Sequence, residues 1–145
     1  MIKNTFLNYL VKILRLILPA TALAMGFLEN AYRLTVVDEQ EIARWVYTNY
    51  FDTRIVESSD FGPMACMLLC IVAIVCAFVC IFKETERTLT TLAGCCSFAM
   101  IGALLPLIIH QHLTVIGWTI AGMLLTNLII TAIQEMKLED ANRSR

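Results

Sequence analysis

The sequence predicts an all-α integral membrane protein, a four-helix bundle carrying a short amphipathic helix on its outer surface. Three observations point there. The chain holds three long runs with no residue ionised at neutral pH. Its lysines and arginines gather on one side of a four-span layout. Its one charge-rich internal segment carries aromatic residues at helical spacing. The 145 residues suit a single domain, 59% of them are hydrophobic and 16% charged, and the mean hydropathy is +0.73. Soluble domains carry about 25% charge, and a soluble fold this small leaves too much surface exposed to hide so many apolar side chains. Lipid removes that difficulty. A net charge of −1 gives no basic field for nucleic acid.

The uncharged runs are Phe61–Phe82, Thr88–Ile109 and Leu113–Gln134. Each exceeds the roughly 18 residues that read as a spanning helix. The expected spans are about 62–82, 88–109 and 113–134. A first span over about 10–31 rests on other grounds, because its uncharged stretch, Leu16 to Leu28, is short. Lys12 and Arg15 lie one turn apart, and long basic side chains snorkel to headgroups. Tyr9 and Tyr32 flank the segment, about 35 Å apart if helical, near the distance between the two membrane interfaces. Upstream, Asn4, Asn8, Lys12 and Arg15 form a polar stripe opposite Phe6, Leu7, Leu10, Val11 and Leu14, the pattern of an amphipathic lead-in. A cleaved signal peptide is the competing reading, with Ala22-Leu23-Ala24 as its site. Pro19 inside the apolar core and the apolar run continuing through Leu28 speak against it.

Orientation follows from the basic residues. One side carries Lys3, Lys12, Arg15, Lys83, Arg87, Lys137, Arg143 and Arg145, and the other only Arg33, Arg44 and Arg54. The positive-inside rule puts the first set, and both termini, in the cytoplasm of a cell-membrane protein. Residues 33–61 then form an outer loop. Asp38 with Glu41 reads as a capping box. Ile42, Trp45, Val46 and Tyr50 follow at helical spacing, so 38–51 is expected to be a short helix lying on the outer surface or lidding the bundle. Its expected role is anchoring through Trp45, Tyr47, Tyr50 and Phe51 at headgroup level. Thr53–Glu57 reads as irregular, and Pro63 suits the first turn of the next helix.

Small residues mark the packing faces. Cys66, Cys70, Ala73, Ala77 and Cys80 share one face of the second span, with Cys95, Ala99 and Ala103 on the third and Gly117 and Ala121 on the fourth. Pro106 removes the helix bond to Gly102 and is expected to kink the third span there. His110-Gln111-His112 is a very short turn, which makes the last two spans antiparallel neighbours.

Three sets of residues raise chemistry. The six cysteines invite a thiol relay, but the chain has no CxxC pair and its outer loop no cysteine, so they read as small apolar packing residues. Met64, Cys66, Met67, His110 and His112 are soft ligands toward one leaflet that suit Cu(I), at no diagnostic spacing. Asn127, Thr131 and Gln134 form a polar strip on the fourth span, expected to hydrogen-bond between helices rather than to line a hydration path. The last three spans hold no mid-membrane charge of the kind a pump or transporter uses.

Four segments together, Phe61-Gly62-Pro63, Lys83–Arg87, Leu104-Leu105-Pro106-Leu107 and Thr114-Val115-Ile116-Gly117, give the last 85 residues a layout similar to that of uncharacterised small four-span bacterial membrane proteins. That resemblance implies a membrane bundle and no activity. Junction proteins of the claudin type are a poorer match, since Trp45 has no cysteine partner in the loop. Small multidrug transporters place an acid inside their first span, whereas Glu29 sits at its outer edge. The expected role is a non-enzymatic accessory or assembly subunit in contact with the lipid bilayer and a membrane-protein partner or a second copy. The alternative is a small carrier or binder of a hydrophobic or soft-metal ligand. No cofactor and no catalytic residue is expected.

Overall fold

The uncharged runs form helices, two of them near their expected limits, while the last runs on to Arg143, past the expected end at 134. In a computed structural model that describes residues 2–37, 43–52, 61–108 and 113–143, the order is α1 (Ile2–Gly26), β1 (Tyr32–Val37), β2 (Ala43–Thr48), α2 (Gly62–Phe82), α3 (Glu86–Ile108) and α4 (Val115–Arg143). All four helices are long and apolar enough to cross a membrane. At 1.5 Å per residue, α2 alone is about 30 Å long. The turn His110-Gln111-His112 and the Asp38/Glu41 pair lie outside the described residues, as does Thr53–Glu57.

Helix starts are written locally. Pro63 occupies the first turn of α2, where its missing N–H leaves nothing unsatisfied. Before α3, Thr85 and Thr88 cap each other: Thr88 N–H donates to Thr85 Oγ1 at 3.3 Å, and Thr85 N–H to Thr88 Oγ1 at 3.0 Å. Before α4, the Thr114 hydroxyl accepts from Gly117 N–H at 3.1 Å and donates to the Ala31 carbonyl at 2.6 Å. One side chain thus caps a helix and ties it to the turn after α1.

The helices form a ring in which α1 and α3 each lie beside α2 and α4. The expected seam on α2 faces inward: Cys66, Cys70, Ala73, Ala77 and Cys80 are all buried. Ala73 and Ala77 pack with Leu92 and Cys96 of α3. The tightest crossing joins Gly62 to Gly102. A Cβ on Gly62 would come within 2.5 Å of the Gly102 carbonyl oxygen, and one on Gly102 within 2.8 Å of the Gly62 oxygen. Gly102 therefore serves close backbone approach, a role its spacing to Pro106 did not reveal. α3 continues as one helix through Pro106 to Ile108.

Two expectations about the outer segment are corrected. It is not all helical: residues 43–48 are a β-strand, paired antiparallel with β1 in the register Tyr32↔Thr48, Leu34↔Val46 and Val37↔Ala43. The fold is therefore a helical bundle with a two-stranded sheet. The physical reason is composition. Thr35-Val36-Val37 and Trp45-Val46-Tyr47-Thr48 are β-branched and aromatic runs, which fit a pleated ribbon better than a helix. Along β1, Tyr32 and Leu34 are buried while Arg33 between them is half-buried, the alternation a strand requires.

The first span also ends sooner than expected. α1 stops at Gly26 rather than continuing to residue 31, because the Gly26 carbonyl accepts from Tyr50 N–H at 2.9 Å. Met67 Sδ fills the space where a Cβ on Gly26 would sit. The hairpin base then completes the bundle. Ala31, Tyr32, Leu34 and Tyr50 join one apolar cluster with Met67, Ala103 and Ile120. Phe51 stacks on Phe27 with centroids 4.4 Å apart.

Candidate functional site

The opposite end of the bundle, where α2 turns into α3, holds the most unusual group in the chain. Arg15 is 1% exposed. The expectation that it snorkels to headgroups is corrected. Of the polar stripe on α1, Lys12 and Arg15 face the protein, while Leu7, Leu10 and Leu14 face outward. A membrane reverses the usual amphipathic sense, since the outer solvent is apolar. Side chains on a helix lean toward its N-terminus. The guanidinium of Arg15 accordingly runs toward the α2–α3 turn, where Nη2 donates to Glu84 Oε1 at 2.5 Å. Lys12 Nζ lies 3.2 Å from the other oxygen of the same carboxylate. One acid is shared by two cations, and Arg15 Nε and Nη1 are buried without a hydrogen-bond partner.

Asn127 locks the backbone of the same residue. Pro19 has no N–H to give to the carbonyl four residues back, which is that of Arg15. Asn127 Nδ2 on α4 donates to that carbonyl at 3.3 Å and to Cys96 Sγ on α3 at 3.4 Å. Thr131 donates to the Asn127 carbonyl at 2.8 Å, within α4. The polar strip expected on the fourth span is thus real as a position: Asn127 and Thr131 are buried and Gln134 half-buried. Its interhelical bond goes to a backbone group freed by a proline. Periodicity could not show that, although Pro19 and Arg15 at a spacing of four were visible.

Below Arg15 a cavity of about 230 Å³ opens between α1 and α4, lined by Asn8, Arg15, Glu84, Gln134, Lys137 and Leu138. Lys137, on the wall opposite, has no ion-pair partner among the described residues. Neighbouring acids are engaged elsewhere. Glu135 accepts from Thr90 Oγ1 at 2.5 Å, and Glu139 pairs with Arg143 at 2.6 Å.

The other candidates do not assemble. Cys66 packs against Gly102 on α3 with its thiol beside Cys70, whereas Met67 Sδ lies against Gly26 on α1. His110 and His112 lie outside the described residues. Among the described residues, no group of three His, Cys, Asp or Glu is placed to hold a metal ion. The six cysteines are free thiols. Cys66 and Cys70 adjoin one another along α2, and Cys76 meets Cys95 across the α2–α3 interface.

A second cavity, about 320 Å³, lies at the hairpin end between Asn30, Arg33, Tyr47 and the start of α4 at Leu113–Ile116. Arg33 stacks over Trp45, 4.1 Å from the ring centroid, a cation–π contact that shields one of the few basic groups there.

These features define a class: a helical bundle with four helices able to cross a membrane, one end tied by ions and the other lidded by a hairpin. Comparison with protein-family models, with curated proteins and with solved structures gives no match to this chain.

Proposed function

We propose that the chain is a multi-pass protein of the cell membrane, with both termini cytoplasmic, acting as a non-enzymatic accessory or assembly subunit. The distribution of lysine and arginine supports the orientation. The observation that carries the accessory role is the middle of the bundle. Cys70, Ala73, Ala77, Cys96, Ala99 and Leu124 are at most 1% exposed. Small side chains close the space between helices, and that packing leaves no room for a cargo. What the chain offers other molecules is its outside, including Val37, Trp45 and Tyr47 on the hairpin.

Two experiments test this. In a background with the six cysteines replaced by alanine, Thr35→Cys should react with a membrane-impermeant maleimide on intact cells, and Asn142→Cys only after lysis. The reverse pattern refutes the orientation. A photo-crosslinking residue at Trp45, and another at lipid-facing Phe78, should each be tried in cells. The accessory role predicts a discrete adduct with another membrane protein or with a second copy. Adducts of lipid size alone at both positions would refute it.

A further inference from the structure

We infer that the cavity between α1 and α4, walled by Arg15, Lys137 and Asn8, is a binding site for a phosphate group. The argument starts from unspent donors. A guanidinium offers five N–H groups in a fixed fork. In Arg15 the Nη2 group meets Glu84, while Nε and Nη1 are buried without partners. A buried, unpaired polar group costs about 1–3 kcal/mol, and more when charged. Such donors persist where something accepts from them.

The charge of the site selects the acceptor. Arg15 and Lys12 share one carboxylate, Glu84, and Lys137 lines the same cavity as Arg15 and Glu84 with no ion-pair partner among the described residues. Two positive charges remain uncompensated, so the missing acceptor is an anion. Asn8 and Gln134 add neutral polar groups to the wall. A phosphate supplies several acceptor oxygens and matches the planar fork of arginine, which takes carboxylate and phosphate oxygens in pairs. Its negative charge also relieves the excess.

The position in the bundle sets where such a group comes from. The cavity lies level with the charged α2–α3 turn, where the apolar helices end. It is bounded by α1 and α4, whose outward face here carries Leu7, Leu10 and Leu14. A phospholipid can lay its acyl chains along that face and its phosphate on Arg15. Free phosphate can enter from water at the same level. Both sources share the same chemistry, and the site reads the phosphate rather than the chains.

The test uses the purified full-length protein in an uncharged detergent. Three probes are added separately: dioleoylphosphatidylglycerol, dioleoylglycerol, which has the same chains but no phosphate, and inorganic phosphate. Binding is followed by the rise in melting temperature and by native mass spectrometry. The phosphate-bearing lipid should raise the melting temperature, and dioleoylglycerol should not. A comparable rise with millimolar inorganic phosphate identifies a free anion as sufficient; a rise with the lipid alone identifies a headgroup. Lys137→Gln, an exposed position, should weaken binding about tenfold, the scale of one charge-assisted bond. Arg15→Lys keeps the charge but loses the fork, and should weaken it further. Equal shifts with dioleoylglycerol, no shift with any probe, or undiminished binding in both variants would each overturn the assignment. Arg15 would then be a structural ion alone, with water on its free donors.

Discussion

The two ends of the bundle solve the same problem with opposite chemistry. At the hairpin end, α1 finishes early and the gap is filled by apolar volume: Tyr32, Leu34 and Tyr50 are nearly inaccessible. At the turn end, α1 runs on past the α2–α3 turn, and the interior closes on charge: Arg15, Lys12 and Glu84. A lid of side-chain volume tolerates salt and pH but not truncation. An ionic clamp tolerates changes of shape but not the loss of one sign of charge.

The largest effect expected from this comparison is at the hairpin end. Tyr50 is 1% exposed, its N–H holds the end of α1, and its ring meets Tyr32 edge-on at 6.3 Å. Removing a buried aromatic costs about 3–5 kcal/mol, part of it for the cavity left behind. Tyr50→Ala should lower stability by about that much, measured by unfolding in detergent, with the loss the same at low and high salt. A strongly salt-dependent loss would mean that the hairpin is held by charge.

At the turn end, Glu84→Gln leaves two cations without their acid. Breaking a buried pair costs about 3–5 kcal/mol. Glu84 is one-fifth exposed, so screening brings the expected loss toward 2 kcal/mol, about half the buried figure. Here the loss should change with salt, because added anions compensate Arg15 and Lys12. Equal stability of Glu84→Gln and the parent at low salt would show that the clamp carries no stability.

How much of this was legible differs by region, for a physical reason. Lipid forbids charge along a span, so Phe61–Phe82, Thr88–Ile109 and Leu113–Gln134 were plain. The small-residue seam was plain too, since helices in lipid approach only where side chains are short. The hairpin was not. Ile42, Trp45, Val46 and Tyr50 fit a helical period by accident, and the two β-branched runs that make the strands are each only a few residues long. The Arg15 site was hidden because the same stripe suits a helix on a membrane surface and one that turns its polar face into a bundle. The sequence showed the stripe; the partner, Glu84, lies 69 residues away.

The seam between the two ends should respond more mildly. Ala73→Leu and Ala77→Leu force α2 away from Leu92 and Cys96, and overpacking typically costs about 1–3 kcal/mol. Leu68, 56% exposed on the same helix, serves as the control. Leu68→Phe should leave unfolding in detergent nearly unchanged. Equal losses from all three would show that α2 does not present this face to α3.

The smallest effect is the most specific, and it joins the two themes of backbone and charge. Pro19 frees the Arg15 carbonyl, and Asn127 satisfies it from α4. Asn127→Leu removes that bond, yet it also removes the buried Asn127 Oδ1, which has no partner of its own. The two consequences oppose each other, so the single substitution should cost about 1 kcal/mol or less, the usual scale for hydrogen bonds between membrane helices. The informative measurement is a double-mutant cycle with Pro19→Ala. Alanine at 19 restores an N–H four residues after Arg15, so the carbonyl regains a partner within α1. Asn127→Leu should then cost less in the Pro19→Ala background than in the parent, with a coupling of about 0.5–1.5 kcal/mol. Strict additivity of the two changes would break the link, and would mean that Asn127 is held for its contact with Cys96 rather than for the carbonyl.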